Sequence, residues 1–440
     1  MERYAEYKDS GAPWIGEIPV DWQVLQLKFT AKAGISNGIF CEKAKLGDGV
    51  RLVNVSDLYS NNCIDVDNLE LLDITETEYK KYRVLRNDLF YTRSSLKLEG
   101  IGHCNIVLSD EKMVYECHIM KISPNDTVVP KFVAYYSNSN IAKFDIIRKS
   151  KTATMTTINQ QDLGSARFLL PPLSEQQAIA DYLDRSTAQV DSLLADLQTQ
   201  VNMLDRYKRE LIANTITHGL DKSAQKKDSG VDWIGEVPTH WEVTKTKWIF
   251  EIVKRIYGKE DRNVLSITNR GLKIRDIESN EGQLAESYAN YQVVNVNDFA
   301  MNSMDLLTGW VDCSPFEGVT SPDYRVFRFF PNKQQCHNYY KYLFQMCYKS
   351  RIFYRLGQGV SNLGRWRLQA DQFLNMKLPQ PPIHEQEEIA AFLDKKTAQV
   401  DGLIADINEQ IDKLKQYRQI VIHDAVTGKV KVSEGNGNGD

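Results

Sequence analysis

Two stretches rich in basic and amide side chains have the composition of a nucleic-acid contact. Arginine and lysine bind phosphate oxygens, whereas arginine, glutamine, asparagine and serine can also hydrogen-bond to base edges. The first stretch contributes Lys143, Arg148, Lys149, Lys151 and Thr154, and the second contributes Arg351, Arg355, Gln358, Ser361, Asn362, Arg365 and Arg367. We predict that these residues contact DNA, together with Arg93, Lys97 and Asn302.

The positions of the two stretches favour a shared role. One stretch of this kind is more simply explained as a solvated surface loop. Here both stretches lie shortly before a double proline, Pro171-Pro172 in one case and Pro381-Pro382 in the other. Glycines in the second stretch also allow a backbone to approach a ligand closely.

No arrangement of residues predicts catalysis or a metal site. The chain has no phosphate-binding loop, dinucleotide fingerprint, zinc-protease motif or hydrolase nucleophile motif. It also lacks the N-P-P-Y and D-P-P-Y tetrapeptides of adenine methyltransferases. His103 adjoins Cys104 and Cys117 adjoins His118, but neighbours in a strand point to opposite faces. We therefore predict no catalytic residue, no metal ligand and no cofactor bound by this chain.

Composition excludes several classes of protein. No stretch approaches 18 uncharged apolar residues, and the N-terminus has no apolar signal core, so neither a membrane span nor a secretory signal is predicted. Seven cysteines without a C-x-x-C pair disfavour a disulfide framework and predict a cytoplasmic protein. The net charge of −4 gives no general indication of a DNA partner. The excess acid lies mainly in two predicted helices and the tail, while residues 219–380 are net basic.

The chain contains two copies of one module. Lys8–Trp22 matches Lys227–Trp241, and each segment contains W-I-G-E-[IV]-P. Pro171–Thr217 matches Pro381–Thr427, and each begins P-P-[LI]-x-E-Q and continues through T-A-Q-V-D. The interval is too long for a solenoid repeat and indicates two globular parts, each followed by a helix. Because the globular parts have diverged more than the helices, the repeat suggests one scaffold that carries two recognition surfaces. An old duplication with unequal drift is the alternative.

The two repeated helical segments predict a coiled coil. Their apolar residues step by threes and fours, which is the spacing of a left-handed coiled-coil seam. Thr187, Thr397, Lys208 and Arg418 interrupt the seam at matching places. The predicted seam consists of Leu183, Val190, Leu194, Leu197, Val201, Leu204 and Leu211 in the first helix, and of Leu393, Val400, Ile404, Ile407, Ile411, Leu414 and Val421 in the second. Packing of each helix on its own globular part is the alternative.

The ends of the helices have recognisable signals. Ser174 is predicted to cap the first helix, with Gln177 as its capping-box partner, whereas His384 is a poor cap for the second. Gly219 and Gly428 suit the left-handed position that follows a helix. A rise of 1.5 Å per residue gives each helix a length of roughly 60 Å.

The globular parts combine short strands with short helices, so the predicted fold class is α+β. Residues 49–55 and 324–330 have the composition of strands. Pro130–Arg148 and Asn338–Leu356 are predicted to be helical.

The chain resembles the specificity subunit of a Type I restriction–modification enzyme over nearly its whole length. The doubled P-P-[LI]-x-E-Q helix opening carries most of this resemblance, and the doubled W-I-G-E-[IV]-P segment supports it. Further support comes from Asn87–Phe90, Asn297–Asn302 and Gly318–Tyr324. The repeated helix opening is specific, whereas each short motif alone is weak.

The resemblance implies a DNA reader without chemistry of its own. Its two target-recognition domains, at 1–170 and 219–380, would each read one half of a split DNA target. Two conserved helical regions, at 171–218 and 381–428, would pair antiparallel within the chain and set the gap between the halves. Residues 429–440 would form a flexible tail.

The resemblance also implies partners that carry out the chemistry. Two modification subunits that use S-adenosylmethionine would dock on the helices and methylate adenines in double-stranded DNA. A restriction motor-nuclease subunit, which needs ATP and Mg, would join them. A coiled-coil scaffold that binds only proteins is the main alternative, and an enzyme with an unrecognised site is a weaker one.

Overall fold

The computed structural model describes residues 2–60, 63–269, 271–277, 285–357 and 366–432. Its contacts divide the chain into two compact units. Unit 1 comprises Met1–Leu197 with Glu409–Asp440, and unit 2 comprises Gln198–Asn408. Each unit therefore combines one globular module with a part of each long helix.

Unit 1 is built from short strands and a few helices that precede the first long helix. The strands are β1 (Tyr7–Asp9), β2 (Glu17–Pro19), β3 (Gln23–Gln26), β4 (Ala31–Asn37), β5 (Leu46–Val53), β6 (Glu70–Leu72), β7 (Leu89–Thr92), β8 (Ser94–Ser95), β9 (Cys104–Ile106), β10 (Met113–Tyr115), β11 (Ile119–Pro124), β12 (Lys151–Thr152), β13 (Thr156–Thr157) and β14 (Arg167–Leu170). The helices are α1 (Glu76–Tyr82), α2 (Pro130–Ser137), α3 (Asn140–Ile147), α4 (Gln160–Gly164) and the long α5 (Leu173–His218).

Unit 2 begins within α5 and follows the same plan. Its strands are β15 (Lys226–Asp228), β16 (Glu236–Pro238), β17 (Glu242–Lys245), β18 (Phe250–Val253), β19 (Leu265–Thr268), β20 (Gly271–Ile274), β21 (Gln292–Val294), β22 (Phe299–Met301), β23 (Val311–Cys313), β24 (Gly318–Thr320), β25 (Arg325–Phe329) and β26 (Lys377–Gln380). The helices are α6 (His337–Lys349), α7 (Ile352–Leu356), α8 (Ala370–Asn375) and the long α9 (Ile383–Val426).

The same four-stranded antiparallel sheet lies at the centre of each module. Its strand order is β4-β11-β7-β9 in unit 1 and β18-β25-β22-β23 in unit 2. In unit 1 the core includes Tyr91 and Met120 from the sheet, packed with Phe132 and Tyr136 of α2. In unit 2 aromatic rings dominate, and Phe250 of the sheet lies 5.2 Å from Tyr340 of α6, between ring centroids. The globular parts have diverged in sequence but keep one topology, and the predicted α+β fold class is confirmed.

The start of α5 pairs with the end of α9 in unit 1. Leu183 of α5 is buried in one apolar cluster with Ile422 and Val426 of α9. The Arg418 guanidinium donates to both carboxylate oxygens of Asp191, over 2.9 and 3.2 Å. The predicted antiparallel pairing is therefore present in this unit.

Unit 2 shows the complementary half of the same pattern. Ile212 and Ile216 near the end of α5 share an apolar cluster with Ile389 and Leu393 near the start of α9. The Lys208 ammonium donates to both oxygens of Asp401 over 2.6 Å. Two of the residues that interrupt the seam thus form ion pairs between the helices.

The residues of the predicted seam are shielded from solvent in both helices. Every one of its fourteen residues is buried or half-buried, whereas most positions between them are exposed. The threonines that interrupt it are satisfied locally, since the Thr187 hydroxyl donates to the Leu183 carbonyl and the Thr397 hydroxyl donates to that of Leu393, each over 2.7 Å.

The predicted helix start is wrong by two positions. The Pro172 carbonyl accepts the first backbone hydrogen bonds, from Glu175 and Gln176, each at 3.0 Å, so that α5 begins at Leu173. Ser174 therefore lies inside the first turn rather than at the cap. At the other ends, Gly219 and Gly428 have φ angles of 70° or more, as predicted.

Each predicted short helix is in fact two helices. In unit 1 the break falls at Asn138 and Ser139, where the Ser139 hydroxyl caps α3. In unit 2 the break falls at Ser350 and Arg351, and Arg351 adopts a φ of 56°. None of the helices in the described part of the chain is long and apolar enough to cross a membrane.

Candidate nucleic-acid interface

A small edge sheet brings two distant predicted segments together in unit 1. Strand β13 pairs with β12 on one side and with β8 on the other. The backbone N–H of Ile158 also donates to the Arg93 carbonyl over 3.0 Å. As a result the loop that carries Lys97 belongs to the same sheet region as the turn that carries Thr154, and both side chains are exposed. Lys151, on β12, is exposed as well.

The remaining basic residues of the first stretch make internal contacts. The Asp145 carboxylate is almost fully buried and accepts from Arg148 at 2.6 Å and from Lys149 at 3.4 Å. Lys149 also donates to the Ser165 carbonyl over 2.7 Å. Arg148 lies 3.8 Å above the Trp14 ring and remains partly exposed. These contacts give Lys149 a structural role, and Arg148 keeps some surface for a ligand.

Two further residues predicted to contact DNA, Arg93 and Lys143, form hydrogen bonds to backbone carbonyls within their own module. The Arg93 guanidinium donates to the Cys117 carbonyl over 3.2 Å. Lys143 donates to the Ile101 carbonyl over 3.2 Å, and burial lowers the pKa of its ammonium to about 8. Both residues are half-buried, so Lys97, Lys151 and Thr154 are the more accessible candidates.

Unit 2 brings its own two predicted segments together. The Leu368 N–H donates to the Ser303 carbonyl over 3.0 Å, and the Leu306 N–H donates to that of Trp366 over 3.2 Å. The exposed Arg367 therefore lies in the strand-like segment beside the loop that follows β22.

The other predicted residues of unit 2 differ in accessibility. Arg351 and Arg355 are exposed. Asn302 shapes the loop, since its side-chain oxygen accepts from the Met304 N–H at 3.2 Å and its carbonyl accepts from the Tyr348 hydroxyl at 2.5 Å. The predictions for Gln358, Ser361, Asn362 and Arg365 lie outside the described residues.

The two interfaces occupy equivalent places in their modules. The interval from Arg93 to Ser303 equals the interval from Ile158 to Leu368, and the same interval separates the two double prolines. The hydrogen bond from the Ile158 N–H to the Arg93 carbonyl and the one from the Leu368 N–H to the Ser303 carbonyl are each 3.0 Å long. The chain therefore builds one backbone arrangement twice and equips it with different side chains.

The repeated motifs meet each other inside each unit. The Trp22 indole N–H donates to the Glu175 carboxylate over 3.0 Å, and Trp241 donates to Glu385 over 2.9 Å. The two segments that define the repeat thus form one structural joint, which fixes each module on its helix.

The glutamine that follows each of these acids is fully enclosed. The Gln176 oxygen accepts from the Val129 N–H at 2.8 Å, and its amide donates to the Pro171 carbonyl at 2.9 Å. Gln386 makes the matching contacts with Cys336 and Pro381. The two glutamine side chains thus supply hydrogen-bond partners to backbone groups at the junction of each module and its helix.

Comparison with known proteins identifies the family. The model of the Type I restriction modification DNA specificity domain matches residues 19–203 and again residues 238–413. The chain belongs to this family. It is a DNA sequence-specificity subunit of a Type I restriction–modification system, a non-catalytic component of that complex. The resemblance seen in the sequence is thereby confirmed.

Relatives of this specificity subunit match it over nearly its whole length. The MjaX specificity subunit assigned to a type I restriction enzyme of Methanocaldococcus jannaschii is 25% identical, covering 95% of this chain and 96% of its own. The EcoBI specificity subunit of Escherichia coli is 20% identical, covering 92% and 86% respectively. A solved chain from work on complex assembly and conformational transition of the type I R-M system aligns with a TM-score of 0.66 at 14% identity, covering 94% and 99%. That likeness shows the shared fold.

The sequence analysis did not single out several side chains beside the candidate interface of unit 1. Leu96, Glu99, His118 and Met155 line a groove beside the edge sheet of unit 1. An apolar residue between Ser95 and Lys97 was the available signal for Leu96, but its exposure depends on the fold. Within the described residues, no group of three His, Cys, Asp or Glu side chains could hold a metal ion.

Proposed function

We propose that each module of this specificity subunit reads one half of a bipartite DNA target. The equivalent placement of the two interfaces carries this proposal, since one backbone arrangement occurs twice with different exposed side chains. Fold does not determine which bases are read, because sequence choice depends on a few side chains in the grooves. Under this proposal 1–170 and 219–380 are the two target-recognition domains.

The paired helices, at 171–218 and 381–428, would set the gap between the half-sites. An antiparallel pair of helices is stiff and its length changes by about 1.5 Å per residue, so it can define a fixed spacing. The ion pairs Arg418–Asp191 in unit 1 and Lys208–Asp401 in unit 2 support one register of the two helices. Of the proposed flexible tail 429–440, residues 433–440 lie outside the described residues.

The same helices would dock two modification subunits. In unit 1 the side chains of Leu193 and Tyr417 are about half exposed, and in unit 2 the same holds for Leu403 and Tyr207. Exposed apolar residues that repeat on a scaffold fit a partner that binds twice. The modification subunits would bring S-adenosylmethionine, a restriction motor-nuclease subunit would use ATP and Mg, and the assembly would act on cytoplasmic DNA.

DNA binding of the kind proposed is expected to depend on Arg367. Because its side chain is exposed beside the loop after β22, Arg367→Ala should remove a contact to phosphate or base. Loss of such a contact costs about 1–3 kcal/mol, so affinity should fall by roughly 5- to 150-fold in a gel shift of the complex at fixed salt.

Lys431→Ala supplies the matched control. Lys431 is exposed near the end of the chain, and only its backbone N–H makes a described contact, to the Glu2 carbonyl at 2.9 Å. This variant should bind DNA like the wild-type protein. Equal binding by both variants would contradict the placement of the interface, and affinity that does not change with salt would favour a scaffold that binds only proteins.

A further inference from the structure

A groove of about 570 Å³ lies beside the edge sheet of unit 1. Leu96 and Met155 line it, together with Val55, Tyr59 and His118, and its lining is mostly apolar. The predicted DNA-contacting Lys97 also lines this groove, and Thr154 directly precedes Met155. A mostly apolar groove therefore opens beside the candidate interface, and the charged residues Lys97, Glu99 and Glu116 also line it.

Leu96 is the most prominent apolar side chain of this groove. It is 82% exposed, the largest exposure among the large apolar side chains of the described residues. Water contact of this kind is unfavourable by about 25 cal/mol for each Å² of apolar surface. A partner that covers this leucine would therefore gain binding free energy.

The loop that holds Leu96 is fixed rather than loose. The Lys97 N–H donates to the Ser95 hydroxyl at 3.1 Å, and the Gly100 N–H donates to the Lys97 carbonyl at 3.0 Å. The Tyr59 hydroxyl in turn donates to the Gly100 carbonyl at 3.2 Å. A Cβ at Gly100 would lie 2.4 Å from the Ser95 hydroxyl, so a larger residue there would displace the Ser95 side chain. The backbone that carries Leu96 is thus held by hydrogen bonds on both sides of this residue.

DNA offers one apolar group of matching chemistry. In the major groove, base edges present hydrogen-bond donors and acceptors, and the C5-methyl of thymine is the apolar exception. We propose that Leu96, with Met155 beside it, contacts the methyl group of a thymine in the half-site that module 1 reads. The proposal rests on the proposed function and names a base that this interface selects.

Module 2 differs at the equivalent position. Leu306 is the residue of module 2 that corresponds to Leu96, because the two are separated by the same interval as the two double prolines. The Leu306 side chain is only 2% exposed. Leu306 packs into the core of its own unit. The equivalent leucine is therefore buried in module 2, and the neighbouring Leu307 is 48% exposed instead, so the two modules present their apolar side chains differently.

Deoxyuridine substitution tests the contact directly. The complex of this chain with its modification subunit is titrated with its target duplex. In a series of duplexes, each thymine of both half-sites is replaced in turn by deoxyuridine, which lacks only the methyl group. One position should weaken binding by the wild-type complex about fourfold, the equivalent of one buried methyl-sized group. The Leu96→Ala complex should bind that duplex and the thymine duplex equally well. Because Leu96 is so exposed, this variant is expected to fold normally.

Leu85→Ala is the matched control. Leu85 belongs to the same module, precedes β7 and is 50% exposed, so its removal should leave the fourfold effect intact. The proposal is overturned if no deoxyuridine position weakens wild-type binding, or if the loss is equal in the wild-type and Leu96→Ala complexes. It is also overturned if Leu96→Ala releases the modification subunit while thymine sensitivity persists, because Leu96 would then contact protein. Failure of the proposed function is distinguishable, since the wild-type complex would bind target and scrambled duplexes equally.

Discussion

Insertion of four residues between Leu197 and Gln198 is expected to lengthen the unspecified gap of the DNA target by about two base pairs. Four helical residues add roughly 6 Å to α5, and consecutive base pairs are about 3.4 Å apart. Both half-sites should stay unchanged, because the residues proposed to read them lie in the modules. Methylation sequencing of cells that carry the variant and its modification subunit measures gap and half-sites together.

The position of the insertion follows from the seam. Leu197 and Val201 are part of the apolar spacing that pairs α5 with α9. A four-residue insertion is the kind of interruption that coiled coils accommodate by local unwinding. The same four residues inserted after Lys431 should leave the target unchanged. A variant of α5 that methylates altered half-sites, or the original gap, would contradict the role of the helices as a spacer.

Trp22→Ala is expected to destabilise unit 1 by about 3–5 kcal/mol. The Trp22 side chain is fully buried, and truncation of such a residue leaves a cavity that the surroundings fill only partly. It also removes the indole donor from Glu175, which lies at the start of α5. Hydrogen exchange measured by mass spectrometry should show the loss of protection in peptides that cover residues 2–30 and the first turns of α5.

Two further variants separate packing from hydrogen bonding. Trp22→Phe keeps most of the apolar volume and should cost about 1–3 kcal/mol, mainly because the Glu175 carboxylate loses a partner. Phe29→Ala removes an aromatic ring that is 59% exposed in the same unit, and it should change protection very little. If Trp22→Ala and Phe29→Ala had equal effects, the joint between the repeated motifs would not be a major source of stability.

Local patterns were enough to predict the two long helices and their apolar seam, whereas the antiparallel pairing was an implication of the family resemblance. The apolar residues of the seam recur every three or four positions, so the spacing of residues such as Leu183, Val190 and Leu194 shows which face of each helix is apolar. The glycines at the helix ends were predicted for the same reason, since a left-handed position after a helix is a local requirement. The helix start was missed because the Pro172 carbonyl accepts the first hydrogen bonds in place of the Ser174 side chain.

Tertiary contacts decided what the sequence could not predict. Lys149 resembles a free basic residue until the fold places the buried Asp145 and the Ser165 carbonyl beside it. The left-handed backbone at Arg351, which splits α6 from α7, has no sequence signal, because arginine rarely adopts it. The exposure of Leu96 likewise depends on a loop that Tyr59 closes from a distant part of the chain.

Exchange of one module combined with methylation sequencing tests the central claim most directly. Cells would coexpress the modification subunit with this chain, or with a variant in which the corresponding segment of another family member replaces residues 1–170. The native chain is predicted to direct methylation to a bipartite target with a constant gap, and the exchange is predicted to change one half-site while the other half-site persists. A continuous target, or an exchange that alters both half-sites together, would contradict the account of two separate readers on one scaffold.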